Sequence, residues 1–172
     1  MTVAKSIRTF IPYFKKKKLK TALDYGAGKL RNSCYLAKEG LEVYVSDIRE
    51  QVEKILQMPE AGEVHGIFAV DELRFQQLDV DLVLSTYVLN IIHDPLQREE
   101  FLENIRANLK QGGYFLVEVL CKDCNLNCDQ CKVPRNSFSK EELDQMICPR
   151  GFKKLAHCHG KHSVSVLYQK TA

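Results

Sequence analysis

Two groups of residues in this sequence have types and spacings that could do chemistry. The first is Cys121, Cys124, Cys128 and Cys131, four thiols within the eleven residues "CKDCNLNCDQC". Four thiolates on one short segment match tetrahedral zinc or an iron–sulfur cluster. The second group is a glycine turn bracketed by acids. Asp24, Gly26 and Gly28 lie in "LDYGAGKLRNS", and Asp47 follows Gly26 by 21 residues in "LEVYVSDI". The glycines let the backbone turn tightly, so a ligand can approach with no Cβ in the way. A carboxylate at Asp47 can accept hydrogen bonds from ribose hydroxyls. A dinucleotide fingerprint would need a third glycine at position 31, where Arg31 stands, and Asp24 would repel a pyrophosphate. The turn therefore suits a cationic, unphosphorylated ligand.

Both groups need a scaffold to position them. Residues 21–27 read as a strand entering the glycine turn. "KLRNSCYLAKEG" reads as a helix with Leu30, Cys34 and Ala37 inward, closed by Gly40. A strand over 41–48 is followed by the helix "REQVEKILQM", with Val52, Ile55 and Leu56 inward. "GEVHGIFAV" predicts a third strand, and "DELRFQQL" a short helix or loop. Residues 80–87, "VDLVLSTY", form the near-continuous apolar run of a strand covered on both faces. The next helix starts at Pro95, turns Phe101, Leu102, Ile105 and Leu109 inward, and ends at Gly112. Residues 114–120 make a fifth strand. Ser139 and Glu142 form a capping box for "KEELDQMI". "FKKLAHCH" and "SVSVLYQK" close the chain as an antiparallel hairpin.

This alternation predicts an α/β fold: a seven-stranded, doubly wound, mostly parallel sheet with an antiparallel C-terminal hairpin at one edge. Residues 1–172 read as one domain, with a basic helical arm over 1–20 and a cysteine-rich insert over 121–138. Ligands in such sheets bind at the carboxyl ends of the strands. That rule selects Asp24–Gly28, Asp47, Ser85–Asn90 and the residues after Leu120.

At these residues the sequence resembles class I S-adenosylmethionine (SAM)-dependent methyltransferases, which have a Rossmann-like fold. "LDYGAGKLRNS" with "LEVYVSDI" resembles the family's first motif and its acidic second-strand end. The stretch from "VDLVLSTYVLN" to "LKQGGYFLVEVL" resembles its fourth-to-fifth-strand region. The family often has a further small residue where Leu30 stands here. The resemblance implies methyl transfer from SAM to an acceptor, a small molecule or a nucleic acid. It implies that Asp24, Tyr25, Gly26, Ala27 and Gly28 surround the methionine part and that Asp47 holds the ribose. Ile48 would flank the adenine, Asp71 would reach the adenine amine, and Ser85, Thr86 and Tyr87 would lie beside the sulfonium. His93 is the candidate base where an acceptor must lose a proton. Asn90 and Tyr87 are candidates to orient the acceptor. The Asn/Asp-Pro-Pro-aromatic motif of the family's amino-directed nucleic-acid branch does not occur after the fourth strand.

The inner cysteines also resemble the cluster motif of radical-SAM enzymes. That motif belongs early in a large barrel, whereas only residues 132–172 follow Cys131 here. The spacing instead points to a structural zinc at the rim of the site, since four thiolates leave zinc no open position for catalysis.

The bulk composition agrees with a soluble globular protein: 45% hydrophobic and 27% charged residues, with no apolar run near the roughly 20 residues of a membrane span. No signal peptide is read at the start, which predicts a cytoplasmic protein with reduced thiols and no stable membrane association. The net charge of +3 hides an asymmetry, because residues 1–20 hold seven Lys or Arg and no acid. Such an arm could track phosphate, and the alternative reading is a non-catalytic adaptor that binds nucleic acid through the arm and the zinc lobe.

Overall fold

The computed structural model describes residues 2–122 and 136–171. An amphipathic helix, α1 (Lys5–Lys16), opens the chain and buries Ile7, Phe10, Ile11 and Phe14, which recur at helical spacing. Strands β1 (Thr21–Tyr25), β2 (Glu42–Asp47), β3 (Gly66–Ala69), β4 (Val80–Thr86) and β5 (Leu109–Leu120) then alternate with helices α2 (Arg31–Lys38), α3 (Arg49–Ile55), α4 (Val70–Leu73) and α5 (Pro95–Asn108). Helix α6 (Lys140–Ile147) precedes the hairpin β6 (Phe152–His159) and β7 (Ser163–Lys170). The sheet has seven strands in the order β3-β2-β1-β4-β5-β7-β6. β1 to β5 pair in parallel, and β7 runs antiparallel to both β5 and β6. This is the doubly wound sheet that the alternation predicts, with the hairpin at its edge.

Each face of the sheet carries an apolar layer. One layer joins Leu23, Tyr25, Val83, Val117 and Val119 to Phe101, Leu102 and Ile105 of α5 and Leu143 of α6. The other joins Ala22, Val45, Leu82, Leu84 and Leu116 to α1 and α2. Side chains alternate between faces along a strand. Register pairs Asp24 with Leu84, Leu84 with Leu116, and Thr86 with Glu118. Asp24, Thr86 and Glu118 therefore share the face covered by α1 and α2, at the carboxyl edge of the sheet.

Several boundaries differ from the sequence reading. Helix α5 ends at Asn108, not at Gly112. The buried Asn108 side chain donates to Leu73 O and Asn104 O and accepts from Leu78 N, and Leu109 already pairs with Val80. The contacts with Leu73, Leu78 and Val80 are long-range, so helical periodicity could not reveal the stop. Leu56 is 62% exposed rather than inward, because α3 ends one residue earlier. Residues 59–63 form a 3₁₀ turn led by Pro59, which shortens the third strand. The helix after it stops at Leu73, and left-handed backbone at Gln77 and Asp79 turns the chain into β4. Tyr87, expected inside β4, has left the strand with φ +63°. The capping box at Ser139 and Glu142 forms as expected.

Candidate active site

The carboxyl ends of β1, β2, β4 and β5 bring most of the expected residues to one edge. The turn after β1 holds Gly26 and Gly28 at φ +82° and +56°, backbone that favours glycine. A Cβ at Gly26 would overlap a methyl of Val88, so Val88 takes the approach expected to stay open for a ligand there. Gly28 faces open space. Leu30 also adopts left-handed backbone, φ +58°, with its side chain buried among the α1–α2 layer. A glycine would meet that backbone demand without the Cβ strain, and burial of the leucine offsets it here.

Asp24 is 1% exposed. Its Oδ2 accepts from Ser33 Oγ at 2.6 Å, and its Oδ1 has no partner. Burial pushes its carboxyl from 3.8 up to about 7, against the Ser33 hydrogen bond and with help from the nearby Asp47 charge. Asp47 closes over the turn: Oδ2 accepts from Gly28 N and Oδ1 from Ile48 N, both at 2.8 Å. A carboxylate has about four acceptor sites, so capacity for further donors remains. Gln51 Nε2 donates to Gly28 O at 2.7 Å and fixes the turn from the other side.

Thr86 Oγ1 accepts from Asn32 Nδ2 at 3.2 Å, and Asn32 Oδ1 accepts from Ala4 N at 3.1 Å. This chain ties the start of α1 to the end of β4 across the first turn of α2. Ser85 points into the opposite layer, buried, with its hydroxyl unpartnered. Tyr87, 40% exposed, donates from its hydroxyl to Glu118 Oε1 at 2.8 Å, and burial pushes that hydroxyl up to about 12.

The other expected residues are dispersed. Tyr25 sits in the α5 layer, edge-on to Phe101 at 5.0 Å, and Ala27 packs in the α1–α2 layer. Ile48, Asp71, Val88, Ile91 and Phe101, with Tyr25, line a cleft of about 400 Å³ beside the turn. Asp71 there is paired with the Arg49 guanidinium at 2.6 Å, and the same pairing holds its carboxyl below the usual range. Asn90 is buried and acts as a clamp: its side chain donates to Asn136 O and accepts from Leu120 N at 3.1 Å. Its polar atoms are therefore spent on structure. His93 lies exposed at the turn before α5, its Nδ1 3.2 Å from Asn136 Nδ2.

Cys121 is 2% exposed and belongs to the apolar core. Cys124, Cys128 and Cys131 lie outside the described residues. Among the described residues, no three or more His, Cys, Asp or Glu side chains are grouped to hold a metal ion. The segment that carries the cysteines leaves and returns at one place: Lys122 N donates to Phe138 O at 3.1 Å and Phe138 N to Leu120 O at 3.0 Å.

Glu118 escaped the sequence reading, as did Ser33 and Asn32, and Val88 was given no role of its own within Ser85–Asn90. A single acid in the apolar run "YFLVEVL" was the available signal for Glu118. The other three are ordinary residues until the helices dock. The basic residues Lys15–Lys20 lead into the amino end of β1, at the opposite edge of the sheet from the Asp24 cluster.

A family profile described as a methyltransferase domain matches residues 2–163. This chain belongs to that family. The carboxy-S-adenosyl-L-methionine synthase of Campylobacter fetus subsp. fetus is 33% identical over 87 residues, which span 46% of this chain and 37% of that protein. The fold matches that of a Burkholderia thailandensis 1,6-didemethyltoxoflavin-N1-methyltransferase solved with S-adenosylhomocysteine, with a TM-score of 0.72 and 22% identity over 98% of this chain and 79% of that one. It also matches a SAM-dependent methyltransferase of Methanosarcina mazei, with a TM-score of 0.75 and 16% identity over 99% of both chains. Within the methyltransferase domain family, then, the Rossmann-like sheet is the shared fold. No helix of the described residues is long and apolar enough to cross a membrane.

Proposed function

We propose that this methyltransferase domain protein transfers a methyl group from SAM to an acceptor at the carboxyl edge of its sheet. The observation that carries the reading is Asp24, a fully buried carboxylate whose Oδ1 has no partner within the protein. A buried acid with an unspent acceptor is costly unless something donates to it or opposes its charge. The ammonium and sulfonium of SAM supply both. Gly28 leaves room beside it, Asp47 retains acceptor capacity for ribose hydroxyls, and the cleft walled by Ile48, Val88 and Ile91 offers an apolar slot for a flat base. Family membership supports the same reading.

When bound, SAM supplies an electrophilic methyl on a good leaving group. The protein's part is to bind and orient: Asp24 and Asp47 hold the two ends of the ligand, and Thr86 and Tyr87 line the approach. Well-oriented reactants can gain roughly 7–11 kcal/mol, so positioning is the contribution asked of the protein. His93 is not given the role of base in this reading. Its Nδ1 faces the Asn136 amide, which also donates to Ile92 O, so the neutral ring carries its proton on Nε2.

The zinc lobe belongs to the proposal on the strength of the cysteine spacing and the closed neck of the segment, which a metal would brace. Family membership does not favour the adaptor alternative, which rests on the basic run and the cysteine spacing alone. Calorimetry with SAM and S-adenosylhomocysteine tests the reading, and a labelled-methyl screen over metabolite, RNA and protein pools finds the acceptor. If neither ligand gives heat, the reading fails.

A further inference from the structure

Outside the Asp24 cluster, one buried group is over-determined in a way that packing alone does not require. Glu118 on β5 is 4% exposed and receives three hydroxyls, from α1, from β7 and from the turn after β4. Ser6 of α1 donates to Oε2, Tyr87 to Oε1 at 2.8 Å, and Ser163 of β7 to Oε1 at 3.0 Å. The backbone of the same residue accepts again, because Tyr87 N donates to Glu118 O at 2.8 Å. Tyr87 is thus gripped twice by one residue, and it needs to be, because a tyrosine at φ +63° is in strained, left-handed backbone. Strain of this kind persists only where the surroundings impose it, and it sits here at the end of β4, next in sequence to Thr86, the strand neighbour of Glu118.

We infer that Glu118 is a positioning residue of the donor site: it fixes the Tyr87 ring at the end of β4 and sets a negative charge against the positive sulfur of the donor. The inference rests on the proposed function, and within it assigns the discrimination between donor and product. SAM and S-adenosylhomocysteine share every group except the methyl and the positive charge. A carboxylate in a site shielded from water interacts with that charge more strongly than one in bulk water would. Glu118 therefore favours the charged donor and lets the neutral product leave.

The test is calorimetry of the wild type and Glu118→Gln with SAM and with S-adenosylhomocysteine. The substitution suits the pocket: the amide oxygen still accepts from Tyr87 and Ser163, and the amide nitrogen donates to Ser6 Oγ. The expected result is SAM affinity weakened on the order of tenfold, with the affinity for S-adenosylhomocysteine held within about twofold. A purely structural role would weaken both ligands together, and that outcome, or no change in either, overturns the inference. Tyr87→Phe is the second arm. It keeps the charge and frees the ring, and it should weaken SAM more than S-adenosylhomocysteine by a smaller factor. If Glu118→Gln does not fold, this arm decides alone, and equal effects on the two ligands overturn the inference. A wild type that binds neither ligand refutes the proposed function itself, whereas a wild type that binds both and a variant with an unchanged ratio refute only the role of Glu118.

Discussion

Replacing Asp24 by Asn should stabilise the ligand-free protein near pH 8 and cripple SAM binding at the same time. Burial moves the carboxyl from 3.8 to about 7. At about 1.4 kcal/mol for each tenfold change in proton affinity, the ionised form costs the fold on the order of 4 kcal/mol. The sign follows from linkage. Below about pH 4 both folded and unfolded chains hold the proton, and the cost is absent. From about pH 4 to pH 7 the unfolded chain releases its proton and the folded chain keeps it, so stability falls as pH rises. Above about pH 7 the full cost applies. Asn removes that charge and still accepts from Ser33. Its amide nitrogen, placed where Oδ1 lacks a partner, takes back about 1–3 kcal/mol. The net gain at pH 8 is on the order of 1–3 kcal/mol, a rise in Tm of several degrees for a chain of this size. At pH 4 the wild-type carboxyl holds its proton and strands a hydroxyl where the variant strands an amide, so the gain should vanish. Thermal unfolding at both pH values measures this. In the wild type, the ionised fraction of Asp24 rises from about a tenth at pH 6 to about nine-tenths at pH 8, so the Kd for SAM should tighten roughly tenfold over that range. An equal rise in Tm at both pH values, together with a flat SAM affinity, would refute the argument.

The two glycines of the turn should separate stability from binding. Gly26→Ala meets Val88 and unfavourable backbone together and should cost about 2 kcal/mol or more in chemical denaturation. Gly28→Ala meets only the backbone, so it should cost about 1 kcal/mol yet abolish SAM binding by calorimetry, because the new methyl stands in open space at the site. Asp71→Asn breaks an exposed pair with Arg49 and should change stability by less than about 1 kcal/mol, while weakening SAM measurably if the acid reaches the base. Protein purified without chelator should carry about one zinc per chain by elemental analysis. A content well below that, or a brown iron chromophore, would remove the zinc lobe.

Periodicity and turn chemistry were enough to predict the seven strands, their parallel and antiparallel sense, a helix in the first twenty residues and the capping box at Ser139. Those features are written in neighbouring residues, where hydrophobic spacing and local hydrogen bonds decide the outcome. The place of the acids Asp24 and Asp47 at the carboxyl edge of the sheet was legible for the same reason, because they stand at the ends of strands. Tertiary structure alone decided what surrounds them. It brought Ser33 to Asp24, put Val88 over Gly26, stopped α5 at Asn108 and gathered Ser6, Tyr87 and Ser163 around Glu118. Most of these contacts join residues far apart in the chain, and burial depends on which faces meet when the layers close. A residue's chemistry is set by that burial as much as by its type. The same carboxyl that would titrate near 4 in water titrates near 7 beneath α2.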